Sequence, residues 1–231
     1  MIFNGFMKQK AKLEIACFNL AATLIAQKNG ADRVEFCDGI LVGGITPDIT
    51  SAELVKASLK IDLYVMIRPR GGNFVYSESE FQQMKSDILA FKKIPVDGFV
   101  FGILNEDFSV NTIQNKELVQ LAHPIPCTFH RAFDEVTDAF QSLEEIIDCG
   151  FQTILTSGQK PNVVDGVHQL KELVKKAKNR ITIMPGGGLR SSNIENIQQI
   201  TKAVFYHSSA ITSEGEVPNP FEIQALKSKL K

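Results

Sequence analysis

Short apolar runs alternate along the chain with longer segments that have a helical period. Each short run is bounded by turn residues and has the length and composition of a β-strand. The eight runs are Leu13–Cys17, Arg33–Cys37, Leu63–Arg68, Gly98–Ile103, Pro126–His130, Thr153–Thr156, Ile181–Met184 and Ala203–His207. Between them apolar residues recur every three or four positions, as at Phe81, Met84 and Ile88, which is typical of helices that pack on a sheet.

Capping residues indicate where several of these helices begin and end. Predicted starts are the capping boxes Thr50 with Glu53 and Ser77 with Glu80, and the pair Asn219 with Pro220. Predicted stops are Asn29-Gly30 and Cys149-Gly150. Eight alternating units require parallel strands and predict a single-domain α/β protein, a (β/α)8 TIM barrel over residues 13–231 after an N-terminal extension, residues 1–12. A doubly wound open sheet is the alternative.

Composition narrows the classes of partner. The chain has 231 residues, 44% of them hydrophobic, with a formal net charge of -1, which indicates neither nucleic acid nor an anionic membrane as a partner. No apolar run approaches the length of about 20 residues that spans a bilayer. Four cysteines without a CxxC pair predict a cytoplasmic protein with reduced thiols. The oligomeric state is left open, a homo-oligomer included.

Alternation along the strands predicts which polar side chains face the barrel axis. It turns Glu14, Glu35, Arg68 and His130 inward, and these are the hypothetical catalytic residues. Arg68 and Arg70 are the expected ion-pair partners of the two acids, because a buried carboxylate needs compensation. The alternative is a buried ion-pair network that only fills the barrel.

A glycine-rich turn follows the seventh strand, where barrels frequently bind phosphate. The predicted anion-binding residues are Arg70, Gly186, Gly187, Gly188, Ser191, His207 and Ser208. A tight turn that binds no ligand is the alternative interpretation.

Several ordered segments also carry a family resemblance. They are Glu14–Cys17, Gly30–Cys37, Gly43–Pro47, Met66–Gly72, Asp97–Gly102, Thr128–Asp134, Leu155–Gly158 and Met184–Gly188. Together they resemble the copper homeostasis protein family CutC from Leu13 to Ser209. The resemblance implies a β/α barrel, a cytoplasmic role linked to copper, and Cys17 and Cys37 as copper ligands. Phe18 and Val42 depart from the polar residues that the family usually carries there.

Three functions compete at this stage. The first is Cu(I) binding by the thiolates of Cys17 and Cys37, with Met66 or a histidine as an auxiliary ligand, since soft sulfur ligands select Cu(I). The second is an enzyme for a small anionic or phosphorylated metabolite, with Glu35 and His130 as acid and base and Arg68 and Arg70 as an anion clamp. The third is an inert structural or regulatory barrel. The fold itself does not decide among them.

Overall fold

The computed structural model describes residues 11–230. The predicted N-terminal extension lies outside this range except for Ala11 and Lys12. No helix in the described range is long and apolar enough to cross a lipid bilayer.

Strands and helices alternate eight times in the described chain. The strands are β1 Lys12–Cys17, β2 Arg33–Phe36, β3 Asp62–Met66, β4 Gly98–Phe101, β5 Cys127–Phe129, β6 Thr153–Thr156, β7 Thr182–Pro185 and β8 Phe205–Ser208. The helices are α1 Leu20–Lys28, α2 Ile49–Ser58, α3 Glu78–Phe91, α4 Thr112–Ala122, α5 Ala139–Cys149, α6 Val167–Ala177, α7 Ile194–Thr201 and α8 Pro220–Lys229. Short 3₁₀ helices cover Ile40–Val42 and Arg131–Glu135. Each of the eight predicted strands is present.

The strands form one parallel sheet in the order β7-β6-β5-β4-β3-β2-β1-β8. β8 pairs with β1, and β7 contacts β8, so the sheet is nearly closed into a barrel with the helices outside. The predicted (β/α)8 architecture is confirmed, and the open doubly wound sheet is excluded. The carboxyl ends of all eight strands therefore meet at one mouth of the barrel.

Helix ends follow the predicted capping chemistry with one exception. Ser77 and Glu80 form the predicted capping box, and Pro220 lies in the first turn of α8 after the cap Asn219. The predicted box at Thr50 is wrong. α2 begins one residue before Thr50, and the Asp48 side chain accepts the capping hydrogen bond from the Ser51 amide at 3.0 Å.

Apolar packing divides into two layers. The larger one fills the space between the strands and the helices, and a small inner cluster contains Cys37, Tyr64, Met66 and Val100. Gly98 makes the inner cluster possible, because a Cβ at that position would lie 2.3 Å from the Tyr64 ring. Apolar side chains thus fill part of the barrel interior, up to the carboxyl ends of β2 and β3.

Candidate functional site

The side chains that alternation turns inward meet at the barrel mouth. Glu35, Arg68, His130 and His207 line a cavity of about 200 Å³ at the carboxyl ends of the strands, and each is at least nine-tenths buried. Glu14 is fully buried and does not line the cavity, but it contacts His207, which does. Four of these five polar residues therefore share one pocket, and the fifth, Glu14, contacts the pocket residue His207.

Arg33, a residue that sequence reasoning missed, is the partner of Glu14. The expected pairing of the acids with Arg68 and Arg70 is wrong, because the Arg33 Nε donates to Glu14 Oε2 and both side chains are buried. The Arg33 guanidinium lies between the rings of Tyr64 and Phe205, at 3.8 Å and 4.1 Å from their centroids. Strand alternation could have found Arg33, since it has the parity of the inward Glu35.

His207 stands between two carboxylates. Its Nδ1 lies 2.6 Å from Glu14 Oε1, and its Nε2 lies 3.9 Å from Glu35 Oε2. Burial lowers the pKa of His207, but the carboxylates of Glu35 and Glu14 raise it to a net value above the ordinary one. For Glu14, burial raises the pKa, but the opposing effects of Arg33 and His207 are larger. The pKa of Glu14 therefore lies below its usual range. The pair Glu14 and Arg33 therefore fixes the orientation of His207, whose Nε2 faces the cavity side.

Glu35 is the carboxylate at the cavity wall. The Cys37 thiol lies 3.6 Å from Glu35 Oε2, while the buried Glu35 Oε1 has no hydrogen-bond partner. Burial raises the pKa of Glu35, and the facing His207 offsets this only in part. Glu35 therefore presents an unused acceptor, or an acidic proton, inside the barrel.

Arg68 and Arg70 are both held by the loops around the mouth. Arg68 donates from Nη1 to the carbonyls of Val42 and Gly44 and from Nη2 to that of Gly72, each at 2.8 Å. Its Nε is buried without a partner. Arg70 does not line the cavity; its Nε donates to a carboxylate oxygen of Glu80 at 2.6 Å. The two arginines thus have different roles, and Arg68 is the one whose charge lies at the cavity.

His130 faces the cavity as a neutral ring. Burial, followed by the charge of Arg68, lowers its pKa to about 3. The Ala132 amide donates to His130 Nδ1 at 3.3 Å, so the ring proton lies on Nε2, which is buried and unpartnered. Gly102 leaves room for this ring, because a Cβ there would lie 2.9 Å from Nδ1. At neutral pH His130 is therefore a hydrogen-bond donor and a poor base.

The two predicted copper ligands belong to different layers. The Cys17 sulfur packs in the layer between strands and helices, whereas Cys37 belongs to the inner cluster and lines the cavity. Burial raises the pKa of both thiols well above the ordinary value, with the negative charge of Glu35 as the next cause. Each thiol is therefore protonated at neutral pH.

The predicted anion-binding turn, Gly186–Gly188, lies after β7 on the same side of the barrel. The amide and hydroxyl of Ser191 donate to the Glu222 carboxylate at 2.6 Å and 2.7 Å, and the Ser208 hydroxyl donates to the Leu189 carbonyl at 2.8 Å. Gly187 packs against the Arg131 side chain. The predicted serine donors are thus engaged by groups of the protein itself, and anion binding at this turn stays a prediction.

Asp134, which the sequence did not single out, ties the loop after β5 to the end of β6. It accepts from the Thr156 hydroxyl at 2.5 Å and from the Ser157 amide at 3.0 Å. It also forms an ion pair with Arg131 at 2.8 Å. These contacts position the segment that carries His130. They also neutralise the charge of Arg131, which lines the cavity together with Arg68.

Two sets of side chains could hold a metal ion. Glu14, Glu35 and His207 offer ligand atoms within 4.8 Å of one another. Cys37 and Met66 offer sulfur atoms. Phe36 of β2 pairs with Val65 of β3, and Cys37 and Met66 are the next residues along the two segments. The first set is rich in oxygen and suits harder cations, whereas the sulfurs suit Cu(I).

Comparison with known proteins places the chain among copper homeostasis proteins. The CutC family model matches residues 11–212. The copper homeostasis protein cutC homolog of Mus musculus is 41% identical over 210 residues, which cover 91% of this chain and 75% of that protein. The family protein CutC of Parabacteroides distasonis is 44% identical over 202 residues, covering 87% and 83%.

Solved structures agree with this assignment. A crystal structure of CutC from Streptococcus agalactiae is 34% identical, with a TM-score of 0.83 over 86% of this chain and 98% of that one. Phosphoribosylanthranilate isomerase from Thermotoga maritima, at 14% identity and a TM-score of 0.64 over 95% and 98% of the two chains, shares the barrel fold alone. By family model, sequence identity and fold together, the chain belongs to the CutC family of copper homeostasis proteins.

Proposed function

We propose that this protein acts in copper homeostasis by binding Cu(I) as cargo at the barrel mouth, with Cys37 as the thiolate ligand. The observation that carries the proposal is that Cys37, Met66 and His207 line one buried cavity. A thiolate, a thioether and an imidazole form a ligand set that favours Cu(I) over harder cations. The names of the mouse and bacterial relatives support the same metal.

Cys17 takes no ligand role in this proposal, although the family resemblance pairs it with Cys37. Its sulfur belongs to the outer apolar layer, on the side of the sheet that the helices cover. To reach a copper ion in the cavity, the end of β1 would have to turn over. Cys17 instead contributes packing, as buried free cysteines commonly do.

Glu35, a neighbour of Cys37, can accept the thiol proton when copper binds. A thiol must lose its proton to bind a metal, and Glu35 lies 3.6 Å away as an acceptor. All four cysteines are free and buried, which suits the reducing cytoplasm that we propose as the site of action. In that compartment copper is held as Cu(I), the oxidation state that sulfur ligands prefer.

Replacement of Cys37 tests the copper proposal. Cys37→Ser should lower the Cu(I) affinity by about tenfold or more, because a hydroxyl replaces the one sulfhydryl group among the described residues that line the cavity. Competition with a chelator measures the change. Cys17→Ala is the matched control and should bind like the wild type. Undiminished affinity in the Cys37 variant, with its fold intact by circular dichroism, would remove Cys37 from the site.

A second candidate function is an enzyme that transfers a proton on a small anionic metabolite. The observation that favours it is the arrangement of His207, held by Glu14 through one ring nitrogen while the other faces Glu35. In this reaction class Glu35 and His207 exchange a proton with the substrate, and Glu14 orients the imidazole. His130 is then a neutral donor to substrate, not the base that its residue type suggested.

A Glu35→Gln variant tests this second function. It removes the proposed acid or base and also removes a buried charge, so the protein should remain folded. Incubated with a mixture of small cellular acids and followed by NMR, the wild type should consume one component, and the variant should do so about a hundredfold more slowly. Glu172→Gln, on the exposed face of α6, is the control and should retain the wild-type rate. Equal rates in Glu35→Gln and the wild type would exclude the role.

A further inference from the structure

We infer that the part of the mouth cavity lined by Arg68, His130 and Glu35 is a binding subsite for a small monocarboxylic acid that carries a hydroxyl group. The inference rests on the second candidate function, in which the cavity receives a metabolite, and it names the class of that metabolite. It also moves the anion site away from the glycine turn after β7.

Unpartnered polar atoms identify the subsite. Of the five buried side-chain nitrogen and oxygen atoms without a hydrogen-bond partner in the described chain, three belong to residues that line this cavity: Glu35 Oε1, Arg68 Nε and His130 Nε2. Leaving such an atom buried and unpaired is unfavourable, so a cluster of three indicates a ligand that pairs with them. Two are donors and one is an acceptor.

The charge around Arg68 favours one carboxylate. Arg68 has no acidic partner among the described residues, and its other nitrogens contact three backbone carbonyls and hold the guanidinium in place. Arg131, the other arginine at the cavity, is already paired with Asp134. One uncompensated positive charge beside a neutral imidazole donor matches a single carboxylate.

Glu35 and the cavity size restrict the rest of the ligand. Glu35 Oε1 needs a donor, which a hydroxyl supplies, whereas a second carboxylate would be repelled by Glu35. The cavity of about 200 Å³ is smaller than the range of about 300–1,000 Å³ typical of drug-sized ligands. The ligand is therefore a compact hydroxy acid of a few carbon atoms.

Tyr76 offers a rival explanation for one of these atoms. Its hydroxyl is buried beside Arg68, and neither this hydroxyl nor Arg68 Nε makes a hydrogen bond of good geometry. A small movement could pair the Tyr76 hydroxyl with Arg68 Nε. His130 Nε2 and Glu35 Oε1 would still lack partners, so the experiment concentrates on these two residues.

Binding to the copper-free protein tests the inference without any assay of turnover. Lactate, propanoate, malonate, inorganic phosphate and glycerol are titrated, and the ¹⁵N-labelled His130 ring is followed by NMR. Lactate should bind about tenfold more tightly than propanoate, malonate or phosphate, shift the Nε2–H signal and outcompete glycerol. Equal affinity for lactate and propanoate would overturn the assigned role of Glu35, and tighter binding of phosphate would overturn the ligand class.

Two histidine variants locate the bound carboxylate. His130→Asn retains an acceptor for the Ala132 amide but lacks a group at Nε2, and it should weaken lactate binding about tenfold. His130→Gln retains an amide donor near Nε2 and should bind lactate more tightly than the Asn variant. Thr128→Val is the control, since its buried hydroxyl does not line the cavity, and it should bind like the wild type.

The variants also separate this inference from the functions on which it builds. Wild-type affinity in His130→Asn would overturn the subsite, and a loss of affinity in Ser191→Ala would place the anion at the glycine turn instead. Either result would leave copper binding by Cys37 unaffected, because that proposal is tested by chelator competition. It would also leave proton transfer by Glu35 to be decided by the rate comparison.

Discussion

Arg33→Met should destabilise the protein by about 3–5 kcal/mol, the cost of leaving one member of a buried ion pair without its partner. Glu14 is fully buried, so the loss of Arg33 strands its charge, with His207 as the remaining partner. The variant also loses the contacts of the guanidinium with the rings of Tyr64 and Phe205. The free energy of unfolding, measured by urea denaturation, gives the size of the effect.

The exposed ion pair of Arg180 with Glu144 provides the control for this experiment. Arg180→Met breaks a pair whose side chains are each more than two-fifths exposed, and it should leave the unfolding midpoint nearly unchanged. Adding Glu14→Gln to Arg33→Met should recover part of the lost stability, because it removes the stranded charge. A loss below about 1 kcal/mol in Arg33→Met would show that His207 alone compensates Glu14.

The fold could be predicted because it depends on a period that the sequence displays throughout. Eight apolar runs alternate with helical stripes, and a closed parallel barrel is the structure that buries both. Helix ends were harder where two candidates were close together. Asp48 and Thr50 both have side chains that can cap α2, and only the path of the chain after Pro47 selects Asp48.

The sequence predicted which side chains of the candidate site face the barrel axis, but not which residues they pair with. Alternation correctly turned Glu35, Arg68 and His130 toward the barrel axis, yet it gives no information about height along that axis. The stagger between β1 and β2 places Arg33 opposite Glu14. Only this register, which depends on the closed barrel, makes Arg33 the partner of that carboxylate.

Contacts made by loops could not be predicted from the periodic pattern of apolar and polar residues. Arg68 contacts carbonyls of the loop that follows β2 and of the turn that follows β3, and the sequence shows no signal for such backbone acceptors. The same limit applies to Glu222, which reaches Ser191 from α8. Residue type therefore indicated charge at the mouth, and the three-dimensional structure showed which charges are already paired.

Between pH 7 and pH 5 the wild type should lose about 2 kcal/mol more stability than His130→Asn. An unfolded histidine binds a proton as the pH falls below its ordinary pKa of 6.5, whereas His130 in the folded protein, with a pKa of about 3, stays neutral. The unfolded state therefore binds more protons in this range, and stability falls as the pH falls. The asparagine variant has no imidazole at this position and lacks this contribution.

Denaturation curves at pH 7, 6 and 5 for both proteins measure this difference, since titration of every other group cancels in the comparison. The ring signals of His130 should also stay unchanged by NMR over the same range. Parallel loss of stability in the two proteins would mean that His130 takes up a proton while folded. In that case burial and the Arg68 charge would not hold the pKa of His130 near 3. The neutral imidazole donor that the subsite requires would then be absent at mildly acid pH.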